Sequence, residues 1–128
     1  MKKLLLTALV LASMMKGHTE SQVVYFPANF KVPAEVQVFV NKIILKACKN
    51  AVTRADLIRL VNFEVEYDEY DQGKVDTYYK IALDVEYNTN DDDSDSIDLI
   101  VEDYDINNPQ FPRFYLEGLK STGGVCRD

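Results

Sequence analysis

Between Asn62 and Tyr87 the chain alternates polar and apolar side chains almost without interruption, and no other stretch limits the possible folds so tightly. The first arm reads Asn62-Phe63-Glu64-Val65-Glu66-Tyr67-Asp68. In the second, Val75, Thr77, Tyr79, Ile81, Leu83, Val85 and Tyr87 share one face, and Asp76, Tyr78, Lys80, Ala82, Asp84 and Glu86 share the other. A period of two marks strands with one face buried and one face in water. The two arms are expected to form a β-hairpin lying over a core.

Parity selects the turn. A two-residue loop at Gln72-Gly73 would pair Tyr67 with Tyr78 and mix the two faces. A three-residue loop, Asp71-Gln72-Gly73, keeps them apart and puts Gly73 at a left-handed position that a residue without Cβ adopts cheaply. In that register Val65 opposes Tyr79, Phe63 opposes Ile81 and Val61 opposes Leu83 on the inner face. On the outer face Glu64 meets Lys80, a favourable cross-strand pair.

At 128 residues the chain has room for one domain. Lys2 and Lys3 precede an apolar run from Leu4 to Met15 that is too short to span a bilayer and has the anatomy of a secretory signal. Residues 1–12 are expected to be that signal, cut after Ala12 or at a site as far along as residue 20. Residues 22–128 then form the single domain, exported to the periplasm or secreted. Loss of Met1 to Ala12 removes two lysines and no acid, leaving 12 basic and 21 acidic residues and a net charge of −9. Such a surface repels nucleic acid and anionic lipid, so neither is expected as a partner. In an exported chain an even cysteine count favours a disulfide, here Cys48 with Cys126.

Gln22 to Phe26 has the composition of a short strand. Pro33 suits the first position of a helix, and Glu35 complements its dipole. Val36, Phe39, Val40, Ile43, Ala47 and Cys48 recur at helical spacing and are expected to face the core. Val38, Leu45 and Val52 form a second apolar stripe, to be covered either within the chain or by a partner. Strands are further expected over Ser96 to Tyr104, with Ile97, Leu99 and Val101 inward, and over Arg113 to Lys120. The expected fold class is α+β, with one long helix packed on a four-stranded antiparallel meander and a short N-terminal strand as a possible addition.

That order of elements is similar to the cystatin-like arrangement, in which a curled sheet wraps a single helix; the likeness extends over roughly residues 22–120. The protease-inhibiting members of that group carry Gln-x-Val-x-Gly in the first hairpin and a Pro-Trp pair in a later one. This chain has Asp71-Gln72-Gly73-Lys74 and no tryptophan, so the resemblance implies a fold and not protease inhibition. A split ferredoxin-like arrangement is the alternative, but it needs a second helix that Thr53 to Leu60 can barely supply.

No catalytic signature is present. The only histidine, His18, falls in the cleavage region, and there is no phosphate-binding glycine loop, no metal-spaced His or Cys set and no nucleophile triad. The expectation is a non-enzymatic protein without a cofactor. The alternatives are a carboxylate-dependent hydrolase, which would require an acid of raised pKa in a cleft, and a small-ligand or Ca²⁺ binder. Asp91, Asp93, Asp95 and Glu102 fall at positions 1, 3, 5 and 12 of a calcium-loop template, yet Ser96 stands where that template needs glycine. A weak site on Asp91, Asp93 and Asp95 is the form this metal reading takes.

The wet face of the sheet carries the functional expectation. Acids interleave there with tyrosines, and Tyr combines apolar area with a polar tip. Glu66, Tyr70, Tyr78, Asp84, Glu86, Tyr104 and Tyr115 are the expected contacts for a basic protein or peptide.

Overall fold

The computed structural model describes residues 22–53, 57–87, 94–105, 110–124 and 126. The expected signal segment lies outside these residues, as do Asp91 and Asp93. The elements, in chain order, are β1 (Val24–Tyr25), α1 (Ala34–Ala47), α2 (Lys49–Thr53), β2 (Leu57–Tyr70), β3 (Lys74–Glu86), β4 (Ser94–Asp103) and β5 (Phe114–Ser121). The five strands form one sheet in sequential order, curled into a half-barrel. β1 runs parallel to β2 and the other neighbours are antiparallel.

The fold is α+β as expected, with two corrections. The sheet has five strands and is mixed, because β1 adds to β2 in parallel. The helical part is a 14-residue helix followed, past Cys48, by a second helix of five residues.

Pro33 begins α1 with no side-chain cap, and Gln37 ties the first turn to the preceding chain by donating from Nε2 to the Val32 carbonyl at 2.9 Å. The helix buries Val36, Val40, Asn41 and Ile44. Phe39, Ile43 and Ala47, expected in the core-facing stripe, pack against the core but stay half-buried, while Ile44, outside that stripe, is fully buried. Of the second stripe, Val38 is 58% exposed, whereas Val52 packs against the core from α2. Asn41 explains the position of β1: its Oδ1 accepts from the amides of Val23 and Val24, both at 2.8 Å, and its Nδ2 donates to the Gln37 carbonyl. A two-residue strand makes few ladder bonds, so this buried amide supplies much of its anchorage.

The hairpin has the three-residue loop that parity selects, with Tyr70 paired to Lys74 and the Lys74 amide bonded to the Asp71 carbonyl. The φ of Gly73 is +85°, and Asp71 and Gln72 are also left-handed, at +39° and +59°. Phe63 opposes Ile81 and Val65 opposes Tyr79 as expected. Val61 does not oppose Leu83. The register shifts between Leu60 and Asn62, and Leu60 takes that position. Ile58 and Leu60 are apolar at even positions while Phe63 and Val65 are apolar at odd ones, so one extra residue is needed to keep both sets on the inner face. Val61 is that residue, and it is 38% exposed. A second shift, between Ile100 and Val101, turns Leu119 inward opposite Leu99, where it packs against the core and not on the outer face.

The core joins Val36, Val40 and Ile44 of α1 to Ile58, Leu60, Ile81, Leu83, Val85, Ile97, Leu99 and Val101 of the sheet. Val65 was expected among them but is 38% exposed. A disulfide links Cys48, at the end of α1, to Cys126, with Cα atoms 4.2 Å apart and a sequence separation of 78. Loop closure of that length contributes about 4 kcal/mol in the chain-entropy account. The chain before Cys126 is pinned as well. Thr122 bonds through its amide to the Ser96 carbonyl and accepts at Oγ1 from the Ser96 amide. Gly123 lies so close to the Asp95 carboxylate that any Cβ there would collide with it.

Candidate functional site

The strand register converts the outer face into rows. One row runs Glu66, Tyr78, Glu102, Tyr115 across β2 to β5. Beside it Asp68 opposes Asp76, and Tyr104 continues the outer face just past the end of β4. Tyr104 and Tyr115 stack edge to face with ring centroids 4.9 Å apart. Carboxylate and tyrosine thus alternate along and across the strands.

Glu102 is the hub of this cluster. It lies on the outer face yet is only 4% exposed, since its cross-strand neighbours are Tyr78 and Tyr115 and its neighbour two residues on is Tyr104. The Tyr104 phenol is pushed up to about 12, first by its hydrogen bond to Glu102. The Tyr78 phenol is also pushed up to about 12, first by desolvation and then by the charges of Glu102 and Asp76. The Asp76 carboxyl is raised too, first by desolvation and then by a hydrogen bond to Glu102 and by its charge. A neighbouring negative charge makes ionisation of Asp76 less favourable. At neutral pH the cluster presents two phenol donors turned toward a carboxylate, with a dense negative field around them.

The expected contacts divide into three groups. Glu66, Tyr78, Tyr104 and Tyr115 come together in or beside the Glu102 row. Tyr70 sits apart at the hairpin end, paired with Lys74. Asp84 and Glu86 lie at the other end of β3, roughly 20 and 26 Å from Tyr78 at the usual strand rise. They are engaged there by Arg59, at 4.0 Å and 2.9 Å. Lys80 pairs in register with Glu64, as expected, but its ammonium reaches diagonally to Glu66 at 2.8 Å. Glu64 instead accepts from the Asn62 side chain at 3.0 Å. The bond to Glu66 raises the Lys80 pKa and leaves Lys80 as the one cation in the centre of the face among the described residues.

Two open depressions flank Lys80 and Ile100. One, of about 420 Å³, is lined by Glu66, Asp68, Tyr78, Lys80, Ile100 and Glu117. The other, of about 410 Å³, includes Asn62, Glu64, Lys80, Ala82, Asp98 and Ile100. The small residues Ala82 and Gly118 leave this part of the face low, and a Cβ at Gly118 would meet nothing within 4 Å.

Asp95 does not stand free at a loop tip. It pairs with Val85 in β4 and is buried, and its carboxylate accepts from the Tyr87 hydroxyl at 2.7 Å and the Thr122 hydroxyl at 3.2 Å. Those bonds give it a role in holding the chain before Cys126. Asp91 and Asp93, its expected companions in a metal site, are outside the described residues. Among the described residues, no group of three or more His, Cys, Asp or Glu side chains is placed to hold a metal ion. Arg113 forms a two-pronged bond to Asp103, at 2.8 Å and 3.0 Å, and reaches Glu35 of α1 at 3.7 Å. These bonds hold its pKa above the ordinary value and close the sheet over the start of the helix.

Sequence reasoning puts Asp76 and Glu102 on the outer face but leaves them out of the expected contacts, and it does not foresee Arg59 as the partner of Asp84 and Glu86. The signal for Glu102 existed only in the register, which sets tyrosines on both sides of it. Comparison with family models, with curated proteins and with solved structures finds no match to this chain.

Proposed function

We propose that this protein is an exported, non-enzymatic interaction module that binds a basic protein or peptide through its acidic, tyrosine-bearing sheet face. The observation that carries the reading is the row Glu66–Tyr78–Glu102–Tyr115, with Asp68, Asp76 and Tyr104 beside it. Such a face suits Lys and Arg side chains, whose stems lie on aromatic rings while their charges meet carboxylates. The contact set is smaller than the one expected from sequence: Asp84 and Glu86 share Arg59 at the far end of β3, and Tyr70 sits at the hairpin end. Export is supported by the disulfide, which suits an oxidising compartment. The helix followed by a curling meander supports reading the fold as a cystatin-like arrangement.

Selection from a displayed random-peptide library tests this function. Recovered sequences should be rich in Lys and Arg, should bind less tightly as salt rises, and should lose at least tenfold in affinity to the Tyr115→Ala variant. Sequences without basic bias, or binding indifferent to both salt and Tyr115, would overturn the reading.

A further inference from the structure

β2 is the long strand at one side of the sheet, and among the described residues the only strand beyond it is β1. β1 pairs with β2 at two positions, Ile58 and Arg59. Among the described residues nothing pairs with the outer edge of β2 from Leu60 to Tyr70. Two residues cover about 7 Å of a strand that runs for nearly 50 Å. A strand edge left open over such a length is a template for another extended chain.

The side chains along this edge specify what the added chain must be. On the outer face they are Glu64, Glu66 and Asp68; on the inner face they are Phe63, Val65 and Tyr67. Val65 and Tyr67 are 38% and 72% exposed, so the inner side of the edge offers apolar surface that the core does not use. A second copy of this chain is disfavoured as the occupant. Antiparallel pairing centred on Glu66 would set Glu66 against its own counterpart and Glu64 against Asp68, and directly opposed like charges destabilise a sheet. A strand that alternates basic and apolar residues meets both faces with complementary chemistry.

We infer that the free edge of β2, from Asn62 to Glu69, takes up an extended peptide of alternating basic and apolar residues as a sixth strand. This rests on the reading that the partner is basic, and it gives the mode of binding. Basic side chains of the added strand lie opposite Glu64, Glu66 and Asp68 and extend the tyrosine–carboxylate rows by one member. Its apolar side chains lie beside Phe63, Val65 and Tyr67. Backbone hydrogen bonds supply affinity, and the alternation supplies selectivity.

The test compares two capped ten-residue peptides of the same composition, one alternating Lys and Val and one with five Lys followed by five Val. They are titrated into the isotope-labelled, disulfide-intact protein, with amide exchange read by NMR. The alternating peptide should bind at least tenfold more tightly than the block isomer and slow exchange at alternate amides between Asn62 and Glu69. In the Glu64→Lys/Asp68→Lys variant the preference should pass to a peptide alternating Glu and Val. Equal binding of the two isomers, or shifts confined to Tyr78, Tyr104 and Tyr115 without edge protection, would overturn the edge site while leaving the basic-partner reading in place. Failure of both peptides to bind would overturn the two together.

Discussion

The two halves of the long hairpin share one sequence pattern but have different fates. In the basal half Ile58, Leu60, Ile81, Leu83 and Val85 are buried to within 2% of full enclosure. In the distal half Val65 and Val75 are 38% and 48% exposed, although each continues the same inner face. The reason is length. A helix of 14 residues covers about 21 Å at 1.5 Å per residue, whereas β2, also 14 residues, extends for nearly 50 Å. β4 stops in the same region, its last partner on β3 being Thr77. Stability is therefore concentrated at the base, where the helices, the disulfide and the chain before Cys126 converge, while the exposed apolar surface of the inner face lies toward the tip.

The largest expected effect comes from the residue that joins the halves. Deleting Val61 removes the extra residue that keeps both apolar sets on one face, so either Ile58 and Leu60 or Phe63 and Val65 must turn to water. Loss of two such burials should cost about 3 kcal/mol or more, whereas Val61→Ala should cost less than about 1 kcal/mol. Urea denaturation of both variants checks this; a deletion as mild as the substitution would mean that the two halves are independent.

Next in size is a pair of truncations, one in each half. Leu83→Ala opens a cavity in the closed core and should cost about 3 kcal/mol. Val65→Ala should cost less than about 1 kcal/mol, since its side chain is already partly in water. Equal shifts in the denaturation midpoints would show that the distal half is as well packed as the base.

The smallest effect concerns the acidic cluster and carries the opposite sign. The Asp76 pKa is raised in the folded state, so ionisation of this group opposes folding. Its favourable contribution is complete below its ordinary value of 3.8 and is lost as pH rises through the raised folded value. Asp76→Asn should therefore raise the melting temperature slightly at pH 7, with the gain vanishing in strong acid. The phenols of Tyr78 and Tyr104 follow the same sign at higher pH. Their folded values near 12 lie above the ordinary 10.0, so their contribution is present below pH 10 and fades as pH rises through 12. Spectroscopic titration should find Tyr78 and Tyr104 among the late-ionising tyrosines, together with Tyr79, which burial also raises, and Glu102→Gln should bring Tyr104 down first. A titration unchanged in Glu102→Gln would separate Glu102 from the tyrosines.

The alternation from Phe63 to Val85 was sufficient to predict the hairpin, its three-residue loop and the sidedness of most of β3 and β4, because a period of two is a local property of the backbone. The cysteine count in a chain with an export-like start likewise pointed to the Cys48–Cys126 bond. The parity break between Leu60 and Phe63 was also written in the sequence, though its meaning depends on knowing that both sets must face the same helix. Other features existed only in three dimensions. Which part of the inner face would be covered depended on the ratio of helix length to strand length. The parallel docking of β1 depended on the Asn41 side chain reaching two amides 17 and 18 residues away. The acidic outer face was legible as acids among tyrosines, but not its centre. Glu102 becomes the hub because pairing across β3, β4 and β5 surrounds it with tyrosines, whereas Asp84 and Glu86 lie toward the other end of β3 beside Arg59. A one-dimensional pattern gives the face a residue lies on, while the neighbours on that face come from strands far apart in the chain.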